Sequence, residues 1–445
     1  MRHSAPAVLI AICAMACQHG QPRTAVMPDA LTVQSRTMLL NMSSAKFAEV
    51  VAQFDATMAT ALPQESLAST WRTLVEQAGP FVRIHQTRTE VAHEYRIVVL
   101  TAAFERASLD VRIAFDSSGH VAGLNFVPAR AQVAAGPPPY ADPSQFTERS
   151  VTVSDKWQLP GTVTLPKRSG QVPGIVLVHG SGPQDEDESA GGVAPFRDLA
   201  WGLASRGIAV LRYEKRTRAH PAAVLNSMDS LTVWDETIDD AVDAESLLKH
   251  LPEVDSSRVF VLGHSLGGML APRIAMRGQH VAGLVIMAAP ARPLEDVILE
   301  QVTRAARMDS TAALQASLAD LQLQVTRVKD SHLSSATPRT DLPLGLPATY
   351  WLDLRGYSPP EAARDTRLPL LILEAGGDTQ VSAVDRNIWG AALRDEPGVR
   401  FRLYPDLDHL FVGGKSSASG QIHIPQRVID DIATWVQSMS RPASS

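Results

Sequence analysis

The chain has 445 residues, and at roughly 150 residues per domain this length predicts two or three domains. Hydrophobic residues make up 45% and charged residues 20% of the sequence, a composition typical of a globular protein with ample material for a core. The formal net charge of -6 gives no basic footprint for nucleic acid. Because both cysteines, Cys13 and Cys17, lie near the N-terminus, the rest of the chain has no internal disulfide and no cysteine-ligated metal site.

The N-terminus has the parts of an export signal. Arg2 precedes a mostly apolar stretch over residues 7–15, and small residues lead to Cys17. We expect a signal peptide over residues 1–16, which is too short to span a membrane stably. The segment also resembles a bacterial lipoprotein signal in which Cys17 carries the lipid, with Ala14 where such signals usually have leucine. Two exported forms remain open: a lipid-anchored envelope protein, whose anchor is its only membrane contact, and a periplasmic or secreted protein.

Residues 27–130 show helical patterns followed by strands. One apolar stripe at helical spacing predicts a single helix, capped by Ser43 or Ser44 and formed around Phe47, Val50, Val51, Phe54 and Met58. A second helix ends at Gly79-Pro80, and alternation of period two follows from Leu109. This order predicts an α+β domain with an antiparallel sheet. The pattern resembles the small cone-shaped domains of the nuclear-transport-factor or cystatin-like type.

A proline-rich linker is predicted over residues 131–145, followed by a catalytic domain over residues 146–438. In this domain apolar runs alternate with helical patterns. The runs are residues 175–178, 209–211, 259–262, 283–287 and 368–373. Such alternation predicts an α/β fold with a mainly parallel, doubly wound sheet covered by helices on both faces.

A long insertion separates the last two apolar runs. Helical stretches over residues 294–308 and 312–328 precede a proline-rich passage. We expect residues 291–365 to form a helical cap over the site, because the insertion leaves the sheet at the end where α/β sites form. Tyr350 and Trp351, late in the insertion, are candidates to line the substrate pocket, and the alternative is that they form the core of the cap.

Ser265 is the candidate nucleophile. It lies in Gly263-His264-Ser265-Leu266-Gly267-Gly268, directly after an apolar run and before a helical pattern, which is the context of a nucleophile elbow. The chemistry needs a strained strand-to-helix turn that lifts the hydroxyl clear of its backbone, and the glycines at 263 and 267 allow neighbouring chain to pack closely. The turn also places the N–H of Leu266 at a helix N-terminus, where it can stabilise negative charge.

A serine nucleophile needs a base and a carboxylate that orients the base. In a nucleophile-elbow fold these follow in the order Ser, Asp or Glu, His, and Asp378 and His409 satisfy that order, each on a loop past a predicted strand. The competing carboxylates are Glu374, Asp406 and Asp408. We expect Glu374 to lie too near its strand end to reach the histidine, and the other two to shape the histidine loop.

The second oxyanion donor should come from the loop after an early strand. His179-Gly180-Ser181-Gly182-Pro183 fills that position. Gly180 and Gly182 let the backbone turn its amides toward the pocket, so the N–H of Ser181 is the candidate to pair with that of Leu266. The ring of His179 is expected to brace this loop.

From about Pro143 to Val436 the chain resembles an α/β-hydrolase. The oxyanion loop, the elbow, the loop at 376–378 and the phrase Leu211-Arg212-Tyr213-Glu214-Lys215-Arg216 resemble bacterial serine esterases related to the serine aminopeptidase, prolyl-oligopeptidase and dienelactone-hydrolase groups. Relatives usually have Asp where this chain has Glu214, and Ser265 in place of Cys separates it from typical dienelactone hydrolases. The resemblance implies Ser265 as nucleophile, His409 as base, Asp378 as orienting acid and a pocket under the cap.

These observations predict a serine hydrolase that cleaves small-molecule carboxylic esters through an acyl-enzyme, without metal or cofactor. One alternative is a peptidase or amidase with the same triad, for which a carboxylate from residues 185–188 would hold a substrate amine. We favour a solvated loop for that acidic run. The other alternative is a catalytically inactive envelope binding protein, and the oligomeric state stays open.

Overall fold

The computed structural model describes residues 30–92, 95–105, 107–128, 136–190, 192–278, 281–308, 312–413 and 422–439. The predicted export signal, Cys17 and residues 131–135 of the predicted proline-rich linker lie outside these residues. The chain divides into two compact units, Met1–Ala129 and Arg130–Ser445. Within the described residues, no helix combines the length and the apolar character needed to cross a membrane.

The described residues of the first unit form four helices followed by four strands, which confirms the predicted α+β class. The helices are α1 (Ala30–Ser43), α2 (Phe47–Val51), α3 (Ala56–Ala61) and α4 (Gln64–Ala78). The strands are β1 (Phe81–Ala92), β2 (Tyr95–Phe104), β3 (Ser108–Phe115) and β4 (Val121–Pro128). They form an antiparallel sheet in chain order, and the period-two residues of β3 face a core shared with the helices.

The single helix predicted around residues 47–58 is wrong, because the chain breaks there into α2 and α3. Phe54 leaves the helical path to make a β-bridge with Val121, and the side chain of Asp55 then caps α3 by accepting a hydrogen bond from the Met58 amide at 2.6 Å. Ser43 is not a cap either. It ends α1, and its hydroxyl donates back to the Leu40 carbonyl.

The second unit contains eight strands and eleven α-helices within its described residues. The strands are β5 (Phe146–Val153), β6 (Leu159–Pro166), β7 (Val172–Val178), β8 (Ala209–Tyr213), β9 (Val254–His264), β10 (Leu284–Met287), β11 (Leu370–Ala375) and β12 (Val399–Tyr404). The helices are α5 (Pro195–Ala204), α6 (Arg216–Ala219), α7 (Pro221–Asn226), α8 (Asp239–Lys249), α9 (Leu266–Arg277), α10 (Leu294–Met308), α11 (Ala312–Lys329), α12 (Ala348–Leu354), α13 (Pro359–Thr366), α14 (Ala383–Leu393) and α15 (Gln426–Ser438).

The eight strands form one sheet in the order β12-β11-β10-β9-β7-β8-β6-β5. All neighbours from β12 to β8 are parallel, and only the β8-β6 and β6-β5 pairs are antiparallel. The mainly parallel sheet predicted from the sequence is confirmed. From β7 the chain passes to β8 on one side and returns to β9 on the other, which creates the switch point at which α/β sheets bind ligands.

Both faces of the central strands are covered. Along β7, Ile175 and Leu177 pack into one apolar cluster with α5 and α15, whereas Val176 and Val178 pack into another with α8 and α9. All seven residues of β7 are buried, which explains why it appears in the sequence as a continuous apolar run. The insertion between β10 and β11 carries α10 to α13.

Candidate active site

Ser265 occupies a strained turn between β9 and α9. Its φ and ψ are 51° and −117°, a left-handed conformation that is uncommon for a residue with a side chain. The Ser265 amide donates to the Met287 carbonyl of β10, while its own carbonyl accepts from Met269 in the first turn of α9, both at 2.9 Å. The sheet and the helix therefore hold the strained residue from opposite sides.

The two glycines of the elbow allow this close packing, as the sequence predicts. A Cβ on Gly263 would lie 2.2 Å from the Gly267 carbonyl oxygen. A Cβ on Gly267 would lie 2.3 Å from the Val178 carbonyl oxygen and 2.6 Å from that of His179. The elbow consequently packs directly against the end of β7, where the candidate oxyanion loop begins.

Asp378 and His409 are joined by a hydrogen bond between their loops. The His409 Nδ1 lies 2.8 Å from the Asp378 Oδ2, and the other oxygen of Asp378 accepts amide hydrogens from Gln380 and Val381. These contacts fix the carboxylate and orient the ring so that its Nε2 is left for chemistry.

The backbones of the same two loops are also connected. The Gly376 and Gly377 amides donate to the Tyr404 and Leu407 carbonyls, each at 2.8 Å. A Cβ on Gly376 would lie 2.6 Å from the Cα of Pro405. Only a residue without a side chain permits this approach, and the approach brings Asp378 to His409.

His409 contacts the elbow at His264, the residue that precedes Ser265. The His264 Nε2 donates to the His409 carbonyl at 2.9 Å, and the two imidazole rings have centroids 4.8 Å apart. The Ser265 hydroxyl makes no hydrogen bond to the His409 ring in the described part of the chain. Such catalytic hydrogen bonds are commonly long without substrate and tighten when it binds.

The competing carboxylates have other positions. Glu374 lies within β11, where burial raises its pKa to about 7. Asp406 pairs with Arg427 at 2.6 Å on the surface. Asp408 accepts amide hydrogens from Leu410 and Val412, so it shapes the histidine loop as expected. Asp406 connects the same loop to α15 through its contact with Arg427, and its expected role in shaping the loop stays a prediction.

The candidate oxyanion loop is held by buried charges that the sequence analysis missed. The Gly180 amide donates to the Glu188 Oε1 at 2.6 Å, and the Gly180 carbonyl accepts from the Lys215 Nζ at 3.0 Å. Lys215 in turn lies 3.0 Å from the Glu236 Oε1, and the hydroxyl of Tyr350 donates to the other oxygen of Glu236. The N–H groups of Ser181 and Leu266 make no hydrogen bond within the described residues, so both remain available as oxyanion donors.

The acidic run at 185–188 is not a solvated loop. Glu188 is 3% exposed and lies 2.9 Å from the His264 Nδ1, while Asp187 pairs with Arg212. Burial raises the pKa of Glu188, but His264, His179 and the Gly180 amide together outweigh burial, and the pKa lies below its ordinary value. Burial lowers the pKa of His264, but Glu188, the His409 carbonyl and Asp378 together outweigh burial, and the pKa is raised. The two side chains therefore form a charged pair beneath the elbow.

The ring of His179 braces the loop by packing. It lies between Phe196 and Tyr213, with ring centroids 5.2 Å and 5.1 Å away. Burial lowers its pKa to about 4, with Glu188 opposing this shift and Lys215 adding to it. The imidazole is therefore neutral at neutral pH.

The pKa of His179 predicts a loss of stability in acid. As the pH falls, the imidazole of His179 binds a proton near pH 6.5 in the unfolded chain but only near pH 4 in the folded chain. The free energy of unfolding should therefore decrease as the pH is lowered through this range. A shift of this size corresponds to about 3 kcal/mol at 1.36 kcal/mol per pH unit. Denaturant unfolding of wild type and His179→Phe at several pH values measures it, and the variant should show a shallower slope. Equal slopes would contradict the prediction.

A cavity of about 570 Å³ is lined by Ser265, Leu266 and Ser181. Its walls are mostly apolar and come mainly from α7 and α10, through Val224, Leu225, Leu294, Val297, Ile298 and Val302. The α10 residues belong to the segment that the sequence predicts as a cap. Tyr350 lines the cavity as predicted. Trp351 is not among the lining residues, and its side chain packs in the apolar core.

The comparisons with known proteins agree with this fold. The alpha/beta hydrolase family matches residues 175–415, more than half of the chain, and the protein belongs to this family. A family described as a protein of unknown function, DUF3887, matches residues 35–124.

One sequence relative and two solved structures are similar to this chain. Esterase EstD from Thermotoga maritima is 37% identical over 380 residues, which cover 84% of this chain and 88% of the relative. An esterase structure from Pyrococcus furiosus is 14% identical, covers 70% of this chain and 99% of that chain, and has a TM-score of 0.44. Est1E from Butyrivibrio proteoclasticus is 13% identical with coverages of 65% and 96% and a TM-score of 0.41. At TM-scores of 0.44 and 0.41, the similarity to these two structures carries no argument about function.

Proposed function

We propose that the protein is a serine esterase that cleaves carboxylic esters through an acyl-enzyme formed on Ser265. The observation that supports this most directly is the Asp378-His409 hydrogen bond beside a strained elbow whose serine opens into the cavity. The 37% identity to an esterase over most of both chains supports the same bond type.

In the proposed reaction the Ser265 Oγ attacks the ester carbonyl carbon while the His409 Nε2 takes its proton. Asp378 holds the Nδ1 proton and stabilises the imidazolium. The carbonyl oxygen becomes an oxyanion, which accepts hydrogen bonds from the Ser181 and Leu266 amides. His409 then gives the proton to the departing alkoxide, and the alcohol leaves. The same ring then deprotonates a water molecule, which attacks the acyl carbon. As the bond between the acyl carbon and the Ser265 Oγ breaks, the ring returns the proton to Oγ and the acid is released.

The cavity favours an ester with an apolar portion. Its side walls are aliphatic, and burying a CH₂ group there contributes about 0.8 kcal/mol. Amide cleavage by the same residues is the alternative, and selective aminopeptidases use a carboxylate to hold the substrate amine. Glu236 lines the cavity, but Lys215 and Tyr350 already occupy its two oxygens. Asp185 to Glu188 do not line the cavity, so ester substrates are favoured.

Ser265→Ala should abolish both ester turnover and labelling by a fluorophosphonate probe, since each requires the Oγ nucleophile. Wild type and variant are compared on short-chain nitrophenyl esters and on aminoacyl anilides, with circular dichroism to show that the variant remains folded. Wild type should prefer the esters. Labelling that persists in the folded variant would refute Ser265 as nucleophile, and failure of wild type to react with any activated ester or probe would favour an inactive binding protein.

We also propose that the enzyme acts outside the cytoplasm, on the strength of the charged, apolar and small-residue segments before Cys17. Mass spectrometry of the N-terminal peptide distinguishes a lipidated Cys17 from an unmodified Cys17 left by cleavage after Ala16. An uncleaved chain would contradict both exported forms.

A further inference from the structure

Lys215 is a buried cation that the proposed reaction does not use directly. Its side chain is 2% exposed and its ammonium contacts the Gly180 carbonyl and the Glu236 carboxylate, each at 3.0 Å. A buried charge is costly unless it is paired and hydrogen-bonded, and both conditions are met here. These two contacts therefore hold the ammonium in one position.

The geometry of the peptide bond links this ammonium to the oxyanion site. The described chain has no cis peptide bonds, so the Gly180–Ser181 peptide is a planar trans unit whose C=O and N–H point in opposite directions. Because Lys215 holds the carbonyl, the Ser181 N–H points away from Lys215. This peptide adjoins the nucleophile, since a Cβ on Gly180 would lie 3.2 Å from the Ser265 Cβ.

The preceding His179–Gly180 peptide plane is restrained as well. The Gly180 amide donates to Glu188, so the residue is held at its N–H by a carboxylate and at its C=O by an ammonium. Hydrogen bonds to ionised partners are roughly twice as strong as neutral ones. An ammonium on the carbonyl also polarises the peptide, which makes the Ser181 N–H a better donor to an oxyanion.

We propose that Lys215, neutralised by Glu236, is the positioning residue that aims and polarises the Ser181 N–H toward the oxyanion formed on the Ser265-bound substrate. The inference rests on the proposed function. Lys215 acts through the Gly180–Ser181 peptide and does not touch the substrate. Since the oxyanion exists only along the reaction path, the residue should affect the transition state far more than the bound ester.

The test is the double variant Lys215→Met/Glu236→Gln, which removes both charges and leaves no unpaired buried carboxylate. Its kcat should fall by about 10² to 10³, the loss typical of one oxyanion donor, while KM changes less than about threefold. Affinity for an alkylboronic acid, which forms a tetrahedral adduct with Ser265, should fall by a similar factor. If the double variant does not fold, Lys215→Arg keeps the charge but replaces the compact ammonium, and it should lower kcat at least about tenfold.

The matched control is Arg216→Met/Asp240→Asn. This neighbouring ion pair is equally buried, at 5% and 1% side-chain exposure, and neither residue lines the cavity. The control should keep kcat and boronate affinity near wild type. A folded Lys215 variant with unchanged kcat, an equal loss in the control, or a change confined to KM would overturn the proposal. Inactivity of wild type on every ester would instead end the proposed function, and this inference with it.

Discussion

Asp378→Asn is expected to lower kcat by about 10⁴ while leaving the protein folded, the loss measured when the orienting carboxylate of a catalytic triad becomes an amide. The Oδ2 of the carboxylate accepts a hydrogen bond from the Nδ1–H of His409, and the Oδ1 accepts hydrogen bonds from two backbone amides. An amide has one acceptor oxygen and one donor group, so it cannot satisfy both sets of donors. The ring then takes the tautomer that leaves a proton on Nε2, and Nε2 cannot accept the Ser265 proton.

Steady-state kinetics on an activated ester measures this effect, with thermal unfolding as the check on folding. Asp406→Asn is the control, because Asp406 lies close to His409 in sequence but pairs with Arg427 on the surface, where solvent screens such pairs strongly. Its kcat should stay within about threefold of wild type. A loss below tenfold in Asp378→Asn, or an equal loss in Glu374→Gln, would assign the orienting role elsewhere.

The sequence predicts the parts of the site that depend on local geometry. An elbow needs glycines at fixed offsets from a serine, and a triad acid and base need loops after parallel strands, so Ser265, Asp378 and His409 can be selected as candidates one motif at a time. The central strands are equally visible, because burial on both faces makes a continuous apolar run. β5 and β12 carry no such run, since most of their residues are half-buried or exposed at the edges of the sheet.

The buried ion pairs could not be predicted in the same way. Lys215 follows β8 and His264 ends β9, and only the pairing of β7 with β8 and β9 brings Lys215 to Gly180 and His264 to Glu188. An acidic run and a Glu-Lys-Arg run both have the composition of solvent-exposed segments. The one available signal was position: each run follows a central strand at the carboxyl edge of the sheet, where functional side chains converge.

Tyr350 and Trp351 show a second limit. Successive residues on a helix point about 100° apart, so the two neighbouring aromatics of α12 face different directions, and Tyr350 lines the cavity whereas Trp351 does not. Which of them does so depends on the rotation of α12 about its axis. That rotation is fixed by contacts distant in sequence, including the hydrogen bond from Tyr350 to Glu236 and that from the Trp234 ring to Asp353.

Gly267→Ala is expected to lower the free energy of unfolding by more than ~4 kcal/mol, a loss seen only when a substitution forces severe strain or a large cavity. The added Cβ would lie 2.3 Å and 2.6 Å from two carbonyl oxygens of the chain leaving β7. Neither oxygen can move without shifting the sheet or the oxyanion loop. Residual folded protein should also lose activity, because the displaced loop carries Ser181.

Gly390→Ala isolates the steric cause. Gly390 lies inside α14, and the nearest atom to an added Cβ is the flexible Nη2 of Arg394 at 3.4 Å. Alanine is favoured over glycine in a helix interior by up to about 1 kcal/mol, so this variant should be neutral or more stable than wild type. Urea unfolding of both variants gives the comparison. If Gly267→Ala were as stable as Gly390→Ala, the elbow would not pack against β7 closely enough to hold Ser265 in its strained conformation.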